Sequence, residues 1–116
     1  MKKIEIIKKV TEINNSVVSA CSFIVNEDKF KTIIDKFFSE VGSDSDNFRS
    51  VMSYYHGGGR KDDFVSGVNY YMNTMDEDDI TCEQAREDLK VMKKLNKTLE
   101  DNFHISSTIK LFQMYD

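Results

Sequence analysis

Residues 4–24, IEIIKKVTEINNSVVSACSFI, decide how the rest of the chain is read. Ile6, Val10, Ile13, Val17, Ala20 and Ile24 follow one another at alternating steps of four and three. That spacing predicts one apolar stripe along a helix of about twenty residues, with lysines, glutamates and asparagines on the other side. Such a stripe has to be covered, and the next segment offers the means. After Asn26, Glu27 and Asp28, the residues Phe30, Ile33, Ile34, Phe37, Phe38 and Val41 again repeat at helical spacing, and Gly42 stands where a C-terminal glycine belongs. The width of this second apolar face predicts the central, most buried helix of a bundle.

Further along, DNFRSVMSYYHG (46–57) and DDFVSGVNYYMN (62–73) align without gaps at an offset of sixteen, with five of twelve positions identical. A period of sixteen is too short for a helical solenoid unit. Both segments instead follow one local recipe, with an Asp at the N-cap, a Phe in the first turn and a Tyr pair in the last. Helical spacing groups Phe48, Val51, Met52 and Tyr55 on one face and Phe64, Val68, Tyr71 and Met75 on another, so Tyr55 and Tyr71 are expected to point inward. Tyr54 and Tyr70 rotate by about 100° from them, toward the edge or solvent. Gly67 takes the place of Val51 in the repeat, and a glycine there is the mark of a helix that another must approach closely.

After Asp76, Glu77, Asp78 and Asp79, Thr81 and Gln84 form a capping box, and Ala85, Leu89, Met92, Leu95 and Leu99 carry an apolar face to about Asp101. Glu83, Glu87 and Asp88 come early in this helix and Lys90, Lys93, Lys94 and Lys97 late, in keeping with its dipole, which reads as a solvated outer face. Ser106 or Ser107 would cap a last short helix docked by Ile109, Phe112 and Tyr115. The sequence therefore predicts an all-α, compact single-domain bundle of about six helices over residues 1–116. The absence of proline agrees with that class, because it removes the commonest helix interrupter.

The net charge is −4, but the excess is local: residues 42–79 hold three basic against eight acidic side chains, whereas the flanking thirds are nearly balanced. No basic face suited to phosphates stands out, so direct duplex binding is not expected. An acidic surface instead suits a basic protein surface, such as the groove of a nucleic-acid-binding complex. The start, MKKIEIIKKV, and the run Val18-Ser19-Ala20-Cys21 have the look of a lipoprotein leader, but Lys8, Lys9, Glu12, Asn14 and Asn15 break the apolar stretch it requires. No segment is apolar enough to span a bilayer. A cytoplasmic location, with Cys21 and Cys82 reduced, is the expectation.

One stretch invites a sharper reading. In HGGGRKDD (56–63), Gly57, Gly58 and Gly59 free the backbone N–H groups, Arg60 and Lys61 add charge, and a helix starts at about Asp62. Those are the ingredients of a phosphate cradle, with Tyr54 or Tyr70 offering a surface on which a base could stack. Against this, the stretch lacks the P-loop pattern, and Asp62 and Asp63 put negative charge where a phosphate would sit. The simpler reading is an interhelical turn whose basic pair neutralises those aspartates.

No metal set is predicted. Cys21, His56, Cys82 and His104 lack the close pairs of zinc sites, and the Asp76-to-Glu87 stretch lacks the oxygen ligand and glycine of a calcium loop. No nucleophile, base and orienter group together, so no enzyme and no cofactor is expected. The leading expectation is a small acidic binding protein that inhibits or regulates a protein partner. Its surface combines Tyr54, His56 and Tyr70 with Asp76, Glu77, Asp78 and Asp79. A composition rich in Lys, Asn, Ile and Asp suits a phage or viral accessory factor directed at a host nucleic-acid-handling complex. The alternatives are capture of a phosphate-bearing ligand such as a nucleotide at Gly57 to Lys61, and a homo-oligomeric scaffold, a homodimer for instance, through the first helix.

Overall fold

The structure, a computed structural model, describes residues 2–41 and 46–103. Five helices follow in order: α1 (Lys3–Ser22), α2 (Glu27–Glu40), α3 (Asp46–Gly58), α4 (Lys61–Thr74) and α5 (Cys82–Phe103). No strand occurs among the described residues, so the fold is all-α. The last helix expected after Ser106, with Ile109, Phe112 and Tyr115, lies outside the described residues. So do Gly42, His104 and the side chains of Asp46 and Phe48.

The stripe on α1 is buried as its spacing predicts. Ile6, Val10, Val17, Ala20 and Ile24 are all sealed from solvent, and Ile13 packs at the margin. Complete burial of each large side chain stabilises by roughly 1.5–3 kcal/mol, so this stripe alone accounts for a sizeable part of the gross hydrophobic term. It meets α5 along its length. Ile6 and Val10 cluster with Ala85, and ten residues on Ser16 bonds Asn96, so the two helices run side by side in the same direction. The second half of α1 joins α2, α3, α4 and α5 around Phe30, Ile34, Tyr55, Phe64, Met92 and Leu95.

The expectation that α2 is central is corrected. It buries Phe30, Ile34, Phe37 and Phe38, while Ile33 is half-buried and Lys29, Lys31, Asp35, Lys36 and Glu40 stay in water. Five charged positions leave only one side of the helix fit for the interior. More of the interior comes from α1 and α5, and the buried residues Ala85, Asp88, Val91, Met92, Leu95, Asn96 and Leu99 of α5 span two adjacent faces and reach both α1 and α3.

Helices α3 and α4 form a tight hairpin. Gly59 adopts φ 73°, a left-handed conformation that glycine takes without strain, and its N–H donates to the Tyr55 carbonyl at 2.6 Å to close α3. Gly67 meets the expectation of close approach: a Cβ there would lie 2.8 Å from Val51 Cα and 3.0 Å from Tyr54 Cβ. Thr81 and Gln84 form the reciprocal capping box at the start of α5, with N–H···O distances of 2.9 and 3.1 Å.

Candidate functional site

The Tyr pairs divide between inside and outside as helical geometry requires. Tyr55 packs against Phe38 and Phe64, and Tyr71 faces α5; both are buried. Tyr54 and Tyr70 are 41% and 46% exposed and lie against each other across the hairpin, with ring centroids 5.1 Å apart and planes inclined by 37°. Two large rings that rest on each other in water limit each other's freedom.

Beside this pair is an open hollow of about 340 Å³, lined by Ser53, Tyr54, Gly57, Gly58 and Asp63. Asp63 and Tyr70 are seven residues apart on α4 and therefore share a face, so the carboxylate, the rings and the glycine floor are continuous. His56 does not join them. It is exposed, but its ring lies 5.8 Å from that of Phe38 on α2, on another side of α3 from Tyr54.

The glycine-rich corner uses its donors internally. The Arg60 N–H donates to Asp63 Oδ2 at 3.1 Å, and the Lys61 N–H donates to Glu27 Oε2 at 3.1 Å. Two carboxylates thus occupy the positive end of α4, where a phosphate would have to sit. Lys61 Nζ donates to the Ile24 carbonyl and fastens α4 to the α1–α2 turn, so it does not neutralise Asp62 and Asp63 as expected from sequence. Asp62 is not the N-cap either. Arg60 holds that position, and Asp63 reaches back to its N–H. The geometry of this corner is that of a pinned interhelical turn.

Asp76, Glu77, Asp78 and Asp79 are exposed on the turn that follows α4. The turn is held by the Asp76 carboxylate, which accepts the Asp78 N–H at 2.9 Å, and by the Asp76 carbonyl, which accepts the Ile80 N–H at 3.0 Å. A cavity of about 200 Å³ opens there, lined by Tyr71, Thr74, Met75, Asp76, Asp79, Ile80 and Gln84. Thirteen residues separate Asp63 from Asp76. At 1.5 Å per residue the acidic turn therefore lies about 20 Å along α4 from the hollow.

Three buried polar residues escaped the sequence reading. Asp88, assigned above to a solvated face, is fully buried and accepts a hydrogen bond from the Tyr71 hydroxyl. Burial first, and then this carboxylate, hold the Tyr71 phenol well above its ordinary range. Asn14 donates to the Val10 carbonyl at 2.8 Å, and Asn96 accepts from Ser16 and donates to Glu100. All three sit on helical stripes: Ala85, Asp88, Met92, Leu95 and Leu99 are spaced by three and four, as are Met92, Asn96 and Leu99, and Val10, Asn14 and Val17. Position within the stripe was the available signal.

Cys21 is buried and desolvation pushes its thiol up to about 12, with nearby Lys61 opposing the shift; Cys82 is half-buried. Among the described residues no group of three or more His, Cys, Asp and Glu side chains converges as for a metal ion, and no helix is long and apolar enough to cross a membrane. Comparison with protein-family models, with curated proteins and with solved structures gave no match.

Proposed function

We propose that this chain is a non-enzymatic binding protein that inhibits or regulates a protein partner through the exposed face of the α3–α4 hairpin. The observation that carries the reading is the mutually packed, solvent-facing pair Tyr54 and Tyr70. Tyrosine anchors dominate interface energetics because they cover much area while losing little rotamer freedom. The acidic stretch Asp76 to Asp79 extends that surface and gives it the sign that attracts a basic partner. A protein that handles nucleic acid has such a basic surface, and a small acidic helical domain can compete for it. The compositional bias toward Lys, Asn, Ile and Asp supports a phage or viral accessory role within this reading.

The other two readings have less support. Donors that would cradle a phosphate are engaged by Asp63 and Glu27, and Lys61 is engaged by Ile24. The α1 stripe that would pair two copies is used up inside the chain, against α5.

The test compares cross-linked capture from lysate of the source's host by the wild type and by the Tyr54→Ala/Tyr70→Ala variant, with identification of the captured protein and assay of its activity. The expected result is a nucleic-acid-handling protein whose activity falls on adding the wild type, and loss of both capture and inhibition in the variant, which stays folded by circular dichroism. Equal capture by both proteins would refute the reading.

A further inference from the structure

The fold accounts for two of the three consecutive glycines but not for the first. Gly59 has a positive φ, and a Cβ on Gly58 would overlap the Asp63 carboxylate. At Gly57 an added Cβ would meet nothing within 4 Å, and the residue lies within α3, where glycine weakens a helix relative to alanine. Packing does not demand a glycine at this position. What its missing side chain does leave open is the hollow beside Tyr54, floored by Gly57 and Gly58 and bounded by Asp63.

We propose that this hollow receives an arginine side chain from the basic partner, with the guanidinium stacked on Tyr54 and paired with the Asp63 carboxylate. This rests on the reading of the hairpin face as a partner surface. The hollow contains the three features that an arginine uses. An exposed tyrosine ring offers a π-face to a planar cation. A half-buried carboxylate, fixed at one oxygen by the Arg60 N–H, offers a charged acceptor. Glycine backbone gives room for the side chain to lie flat. At this corner Asp62 and Asp63 stand with Arg60 and Lys61, and the Lys61 ammonium is drawn away to the Ile24 carbonyl. Lysine matches less well, because a compact ammonium neither stacks nor bonds in a planar fork. Arg60 is at the same corner and opposes a second cation, so its removal should tighten binding.

The test titrates isotopically labelled protein with two short peptides that differ only in a central Arg or Lys, following amide shifts by NMR. Gly57→Leu fills the hollow with a good helix former, and Asp63→Asn removes the charge while retaining an acceptor for the Arg60 N–H. The expected result is shifts centred on Ser53, Tyr54, Gly57, Gly58 and Asp63, a preference for the Arg peptide of about fivefold or more, and at least tenfold weakening in both variants, with the melting temperature not lowered in Gly57→Leu and lowered by only a few degrees in Asp63→Asn, which loses a charge at the positive end of α4. Equal binding of the Arg and Lys peptides, shifts confined to Asp76–Asp79, or full binding by Gly57→Leu would each overturn the arginine hollow. Partner capture by these variants separates the two readings. If Gly57→Leu still captures the partner and Tyr54→Ala/Tyr70→Ala does not, the aromatic surface stands and the hollow falls.

Discussion

Two glycines of one hairpin should respond in opposite ways to the same substitution. Gly67→Ala improves helix propensity, yet its methyl would press on the Val51 backbone at 2.8 Å, and backbone yields less readily than a side-chain tip. Overpacking of this kind costs about 1–3 kcal/mol, which exceeds the propensity gain of about 1 kcal/mol. Thermal unfolding is therefore expected to show Gly67→Ala destabilised and Gly57→Ala as stable as the wild type or more so. Titratable residues give a second prediction at this scale. Desolvation raises the Cys21 thiol from 9.0 to about 12, and burial followed by the Asp35 carboxylate raises the Tyr55 phenol from 10.0 to about 12. Raised values mean that the fold favours the neutral forms. The stabilisation is complete below about pH 9, where the unfolded chain is neutral at these groups too, and is lost as pH climbs from 9 to 12. Denaturant melts should show that decline. With a thiol reagent at pH 8, Cys82 should react in the native protein and Cys21 only after unfolding, because a buried protonated thiol is a poor nucleophile.

At the level of elements, α5 tests how a buried polar contact is tolerated at a helix interface. Asp88 is sealed between α4 and α5, where the Tyr71 hydroxyl supplies one of its hydrogen bonds. Tyr71→Phe removes that donor and keeps the ring, so it should cost about 1–3 kcal/mol, measured as a fall in the denaturation midpoint with unchanged slope. Helix existence was largely legible in the sequence. The spacing of Ile6, Val10, Val17 and Ala20 marked α1, and Thr81 with Gln84 marked the start of α5. Helix depth was less legible, since Phe30, Ile34, Phe37 and Phe38 resemble a central stripe until the neighbouring charges are counted. Asp88 was misread because its place early in a helix also satisfies the dipole, and local electrostatics masked its position on the stripe. For the candidate site, rotation by one residue correctly separated Tyr54 from Tyr55 and Tyr70 from Tyr71. The contact of Tyr54 with Tyr70, the separation of His56 from both, and the hollow at Gly57 depend on how α3 turns against α4, which no local pattern encodes.

At the scale of the whole molecule, we propose that stability and recognition lie on different surfaces. Buried residues of all five helices hold the bundle, Val51, Tyr55, Phe64, Val68 and Tyr71 of the hairpin included, and the exposed side of that hairpin with its following acidic turn is the face proposed to meet a partner. Charge on that side should show in association kinetics. Raising the salt concentration should slow binding of a basic partner more than it speeds dissociation, as read by surface-based kinetics, because screening acts on the approach. The most direct measurement is a hydrogen-exchange footprint of the protein alone and in complex with its captured partner. The expected result is new protection in 53–58 and 63–74, extending into 76–79, with α1 and α5 unchanged. Protection confined to the exposed α1–α2 turn around Val25, or absent from the α3–α4 hairpin altogether, would contradict it.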